Sequence, residues 1–415
     1  MLDSRRALKT GSLLFLGSWI LFLYHIQFPR GHCFDEFHYI PAAQQWLTGA
    51  EVLNLEHPPL GKYFIALGIA LWGDIPLGWR FMSSLFGSLT LVGIWFWART
   101  LLQSEKGALW VAAITLCNQL LYVQSRIGML DTFMFGFLTW ALATLTSLWL
   151  REENSSSLKR KLNFLGVMLG LAIACKWFAG VAWLGVISLL GLRSKRLSKQ
   201  VSVSFLAWTV IGLPVLTYFL TFIPYFFVKS PIHSLADLFR LQRDMYSSQL
   251  RVVTQHPYMS GWVDWPLLNR PIWYAFDKEG VREEWVRGVL LLGNPIVMIS
   301  GLIAIAACFW DWVEKRRQDS FLIVYFWVLF YGSWVLIPRK ISFYYYYYPA
   351  GMILGLALGR IFFPLEDPER KDIRALRALL LFSSAAIFIY FYPILSALLI
   401  PTDSFRKWMW LPTWI

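Results

Sequence analysis

The chain has 415 residues, 57% of them hydrophobic and only 15% charged, with a mean hydropathy of +0.51. A water-soluble domain needs more charge to cover its surface, so the composition excludes one and points to lipid as the solvent. The formal net charge is +13, but Lys and Arg fall in short runs between apolar segments, which argues for membrane topology and against a nucleic-acid-binding stripe.

At the start, Arg5, Arg6 and Lys9 precede an apolar stretch at 11–28 with no small-x-small cleavage pattern behind it. This predicts an uncleaved first helix with its N-terminus inside. A spanning helix needs roughly 20 apolar residues. Segments 77–102, 107–124, 127–149, 201–227, 287–310, 320–337, 342–363 and 377–400 meet or approach that length. The stretch 162–191 is too long for one span and carries Lys176 near its middle, so two short helices joined outside are expected. Counted that way, the basic connections 150–161, 192–200, 311–319 and 364–376 all fall inside, as the positive-inside rule asks. The expectation is about eleven crossings with the C-terminus outside.

Two long connections, 29–76 and 228–286, then lie outside, and function is expected there. In the first, Phe37, Ile40, Ala43, Trp46 and Leu47 recur at helical spacing, which predicts a helix along the membrane surface. Pro59 to Trp72 is apolar but short, and predicts a second surface or re-entrant helix. The 23 Trp and 32 Phe suit interfacial belts and stacking platforms. Cys33, Cys117, Cys175 and Cys308 are scattered without CxxC spacing, so neither a disulfide nor a cysteine metal site is expected.

The first chemistry-bearing motif is Phe34-Asp35-Glu36-Phe37-His38. Adjacent carboxylates at the mouth of a membrane cavity are costly to desolvate and read as functional; they read equally as a solvated loop, or as an N-cap for the helix that follows. Glu56-His57-Pro58-Pro59-Leu60-Gly61-Lys62 comes next. Proline at a helix start costs no hydrogen bond, and Lys62 in the first turn asks for an anion to offset the dipole; alone, it reads first as a snorkelling interfacial lysine. Arg80, Arg126 with Asp131, Lys176, and Arg339 with Lys340 stand near outer ends of spans. Each singly reads as an interfacial anchor; together they favour an anion site near the outer leaflet. The second loop runs Thr254-Gln255-His256-Pro257-Tyr258 through Trp265-Pro266-Leu267 to Arg270-Pro271, an aromatic and proline-rich patch. It suits stacking on a sugar or peptide, or a rigid, belt-anchored loop. His57, His256 and Glu36 are too dispersed to argue for a metal, and no metal or other cofactor is called for.

This ordered set resembles the protein O-mannosyltransferase family, membrane enzymes that use a polyprenyl-phosphate sugar. The resemblance is carried by Asp35-Glu36, His57-Pro58-Pro59-Leu60-Gly61-Lys62, Arg80-Phe81, Ser125-Arg126-Ile127-Gly128-Met129-Leu130-Asp131 and Lys176-Trp177. It continues through His256-Pro257-Tyr258 with Trp265-Pro266-Leu267, Gly293-Asn294-Pro295, Arg339 and Tyr348-Pro349. It implies an all-α, polytopic GT-C-like fold in one domain spanning 1–415, of the compact bacterial type, because 228–286 has no room for the large outer domain of eukaryotic relatives. It further implies transfer of mannose to Ser/Thr hydroxyls of secreted or membrane proteins, with inversion, on the outer face of the plasma membrane. Asp35 is then the base and Glu36 its positioning neighbour, with Arg80 matching an arginine the family needs. Lys62, Arg126 and Arg339 are assigned to the donor phosphate. His57, His256, Tyr258, Trp265 and Arg270 are assigned to the acceptor or sugar side. The alternatives are a transferase acting on a lipid or glycan, and an anionic-lipid flippase; the flippase leaves Asp35-Glu36 without a role.

Overall fold

The computed structural model describes residues 4–52, 54–251, 256–365 and 371–414. Helix α1 (Ser4–Leu23) opens the chain and packs along α4 (Pro76–Leu102). Between them lie α2 (Glu36–Thr48) and α3 (Leu60–Trp72), the two short helices expected in the first long connection. Helix α3 sits tightly on the start of α4: a Cβ on Gly68 would stand 2.3 Å from the Gly78 carbonyl oxygen. The next apolar segment is broken at Asn118 into α5 (Glu105–Cys117) and α6 (Gln119–Gln124), the Asn118 side chain accepting from the Leu120 N–H. Helix α7 (Leu130–Leu150) is almost wholly buried against α4 and α8.

The long stretch 162–191 is two helices, α8 (Ser155–Cys175) and α9 (Ala179–Leu192), which meet at Lys176. There follow α10 (Ser194–Leu197), α11 (Val203–Ala207), a π turn, and α12 (Leu213–Leu220). The second long connection carries α13 (Leu235–Arg251), whose Leu238, Leu241 and Met245 are buried on one side, at helical spacing. The last helices are α14 (Pro295–Lys315), α15 (Gln318–Gly332), α16 (Tyr348–Phe362) and α17 (Arg374–Leu395). Among the described residues, six helical segments are long and apolar enough to cross a membrane: Arg5–Leu23, Pro76–Leu102, Leu130–Leu150, Val203–Phe227, Pro295–Lys315 and Arg374–Leu395. The protein is a multi-pass integral membrane protein.

Three boundaries differ from the sequence expectation. The segment expected to span from 287 begins instead as a strand. An antiparallel three-stranded sheet, β1 (Ile272–Glu279), β2 (Trp285–Leu291) and β3 (Leu399–Pro401), stands in that order. Gly288 to Leu292 is apolar and runs on toward the helix, and hydropathy alone does not separate a buried strand from the start of a helix. The helix starts only after Gly293, where the Asn294 side chain caps α14 and Pro295 takes its first turn. Likewise Tyr344–Tyr347 form a 3-10 turn ahead of α16, and the segment expected to end at 400 finishes as β3.

The basic connections gather at one end of the molecule. Arg193 donates to the Trp149 carbonyl, Arg196 pairs with Glu152 at 2.9 Å, and Trp149 Nε1 donates to Gln318. Arg360 meets Asp311 and Asp319 in the same layer. Arg370 lies outside the described residues.

Candidate active site

At the opposite end, the two long connections and the segment before α16 enclose a cavity of about 770 Å³. Its walls include Asp35, His38, Tyr39, His57, His256, Tyr258 and Arg339, with Trp273 to Phe276 of β1. Asp35 stands at the entrance to α2, in helical conformation, and its side chain makes no capping hydrogen bond; the helix-cap reading of this carboxylate therefore fails. Instead Oδ2 accepts from Tyr39 Oη at 3.1 Å and lies 3.5 Å from Tyr345 Oη, while Oδ1 is uncommitted among the described residues. Burial pushes the Asp35 carboxyl above the ordinary carboxylate range, against the pull of Lys176.

Glu36, one residue on, points the other way and is fully buried. Its two oxygens take Arg80 Nε at 2.8 Å and Nη2 at 2.7 Å, and also the backbone N–H groups of Cys33 and Gly128. Arg80 is also fully buried, and its remaining donors go to the carbonyls of Ile26, Pro29 and Gly31 and to Cys33 Sγ. Neither lines the cavity. The pair ties the segment before α2 to α4 and to the turn before α7, so Arg80, expected among the catalytic residues, stands outside the cavity wall and holds the segment that carries Asp35.

The phosphate set divides in the same way. Lys62 is buried, with Nζ donating to the carbonyls of Asn54 at 2.5 Å and His57 at 3.0 Å and to the Asn54 side chain. Arg126 donates to the carbonyls of Phe22, Tyr24 and His25, satisfying groups that the end of α1 leaves open. Both are expected from sequence at the donor phosphate; these donors are bonded inside the protein and neither residue lines the cavity. Arg339 does border it. Its guanidinium lies 5.0 Å over the Tyr346 ring, and its buried Nε has no hydrogen-bond partner among the described residues. Lys176 is paired with Asp131 at 2.6 Å beneath Tyr345 and Tyr346.

On the acceptor side, His57, His256 and Tyr258 reach the cavity. Burial and the cations Lys176, Lys62 and Arg339 press the His57 imidazole well below its usual value, so it is neutral near pH 7. Trp265 is fully buried, donating to Ser260 Oγ, and Arg270 holds the Pro257 carbonyl; these two shape the loop without lining the cavity. Thr254 and Gln255 lie outside the described residues. Sequence reasoning missed Tyr39, Tyr274, Phe276 and Tyr345, which all line the cavity. Tyr39, four residues after Asp35 on a helix, was findable from that spacing. Among the described residues no three His, Cys, Asp or Glu side chains stand close enough to hold a metal ion.

The fold is that of a membrane glycosyltransferase of GT-C type. It is similar to the Saccharomyces cerevisiae protein O-mannosyltransferase Pmt1-Pmt2 complex bound to the sugar donor, with TM-score 0.83 at 15% identity, covering 100% of this chain and 93% of that one. ArnT from Cupriavidus metallidurans bound to undecaprenyl phosphate is also alike, with TM-score 0.62 at 13% identity over 95% of this chain and 77% of that one. In sequence, residues 12–79 and 56–225 match the dolichyl-phosphate-mannose-protein mannosyltransferase family, and 234–414 match the C-terminal four-transmembrane region of protein O-mannosyltransferase. The polyprenol-phosphate-mannose–protein mannosyltransferase of Mycolicibacterium smegmatis is 26% identical over 92% of this chain and 87% of its own length. The chain belongs to the protein O-mannosyltransferase family.

Proposed function

We propose that the protein transfers mannose from a polyprenyl-phosphate donor to Ser or Thr hydroxyls of secreted or membrane proteins, with inversion at the sugar carbon. The observation that carries this reading is the presence, in one cavity, of a carboxylate with an uncommitted oxygen and a guanidinium with an unbonded buried Nε. The carboxylate suits a general base and the guanidinium an anionic leaving group.

The new bond forms between the acceptor oxygen and C1 of the sugar, and the bond from C1 to the phosphate oxygen breaks. The hydroxyl proton passes to Asp35, and polyprenyl phosphate leaves with the bonding pair. A phosphate already leaves as a stable anion, so Arg339 need only hold its charge and no acid is required. The base acts from the face opposite the leaving group, as the base does in inverting glycoside hydrolysis. Burial raises the pKa of Asp35, which makes it a stronger base than an exposed carboxylate. Glu36 and Arg80 fix the segment that presents it.

The relative alike along most of the chain carries a name directed at protein, which favours a Ser/Thr hydroxyl over a lipid acceptor. The basic connections share the end opposite the cavity, which by the positive-inside preference supports an N-terminus in the cytoplasm and a cavity on the outer face of the plasma membrane. The test is to incubate membranes bearing the protein with radiolabelled polyprenyl-phosphate mannose and a Ser/Thr peptide. Label on the peptide is expected; label found only in lipid or glycan would overturn the protein acceptor.

A further inference from the structure

Strand β1 is bonded along one edge only, since its register partners all lie on β2. Among the described residues, no backbone hydrogen bond joins 272–279 to a third segment. An unpaired strand edge is a template for another chain, and proteins usually blunt such edges with charge or with a cover. Here the charges Asp277, Lys278 and Glu279 fall on the exposed outer half of β1. The inner half, Trp273 to Phe276, lines the cavity that holds Asp35. The register slips between Trp273 and Ala275, which leaves Tyr274 outside the ladder to β2.

The strand and the base are close neighbours. Phe34, adjacent to Asp35 in the chain, stacks on Tyr274 with ring centroids 5.5 Å apart. Tyr345, whose Oη reaches toward Asp35, has its ring 6.4 Å from that of Tyr274. The inner half of β1 and the carboxylate therefore share one cavity, with Tyr274, Phe34 and Tyr345 between them.

We propose that the acceptor polypeptide binds as an extended strand added to the free edge of β1, which delivers one Ser or Thr hydroxyl to Asp35. This rests on the transferase reading and specifies how that reading's acceptor is held. Main-chain hydrogen bonds give affinity without regard to side chains, and alternate residues face the cavity wall. The enzyme then accepts many sequences but only extended ones; a helical segment, whose N–H and C=O groups are already paired, is excluded.

The experiment uses membranes containing the full chain, saturating radiolabelled polyprenyl-phosphate mannose, and a series of one Ser/Thr peptide in which each backbone amide in turn is N-methylated. KM is expected to rise by about fivefold or more where an amide that bonds to β1 is lost, and to change little at the positions between, with a period of two along the peptide. A response without that period, whether all positions are tolerated or all are equally damaging, overturns the strand-addition mode while leaving the transferase intact. Failure of the unmodified peptide to take up any label sinks the transferase reading, and the docking mode with it.

Discussion

Asp35 and Glu36 share a peptide bond, yet one faces a cavity with an oxygen to spare and the other is locked into a bidentate pair with Arg80. The same division separates Arg339, with an unbonded Nε, from Lys62 and Arg126, whose donors end on backbone carbonyls. A charged side chain is available for chemistry when the fold has not already used its hydrogen bonds. Charges that are used up hold the available ones in place.

The comparison breaks most visibly at Arg80. Arg80→Ala leaves Glu36 as an uncompensated buried carboxylate, and loss of one partner of such a pair costs about 3–5 kcal/mol. The expected result is a fall in thermal midpoint and folded yield in detergent, and a variant of unchanged stability would contradict the positioning role. Asp35→Asn should do the reverse. It is expected to fold and bind donor normally while transfer drops by about a hundredfold or more; near-normal transfer would return the carboxylate to a solvated loop.

Arg339→Gln sharpens the distinction among the cations. Donor KM should rise by about tenfold or more, the scale of a charge-assisted hydrogen bond, whereas Lys62→Gln and Arg126→Gln should leave donor KM unchanged and lower stability instead. Donor KM rising equally in all three would mean that the buried pair reaches the phosphate after all. The smallest effect is in pH. Transfer needs ionised Asp35, so the acid limb of the rate profile should lie above the ordinary carboxylate value of about 3.9. Stability moves oppositely there, because protonating a carboxyl whose pKa burial has raised relieves the cost of burying its charge. An acid limb at or below the ordinary value would remove Asp35 as the base.

The sequence made the membrane class, the places of the apolar helices and the acidic pair plain, because hydropathy and adjacency are written in the residues themselves. It did not show which carboxylate of the pair faces the cavity, since that depends on rotation at the start of α2. Nor did it show that Lys62 and Arg126 are spent. Their partners are backbone carbonyls of Asn54, His57 and the end of α1, and a carbonyl carries no signature in sequence. The sheet was hidden for another reason: the apolar end of β2, Gly288 to Leu292, reads as the start of the span that follows it. Helix α13 was legible in the spacing of Leu238, Leu241 and Met245, a pattern overlooked beside the aromatic loop that follows it.

The sheet has a consequence for the order of events in synthesis. Its third strand comes from residues 399–401, beyond α17, and Trp414 then braces the wall, its carbonyl accepting from Trp273 Nε1 and its own Nε1 donating to the Leu268 carbonyl. Asp35 leaves the ribosome hundreds of residues earlier. The base is thus in place long before the opposite wall has its brace, and the nascent chain reaches its finished cavity only after α17 has been threaded. Contacts this distant in sequence are slow to form, so the topology itself acts as a timer, deferring a complete reaction chamber until residues 399–414 have emerged.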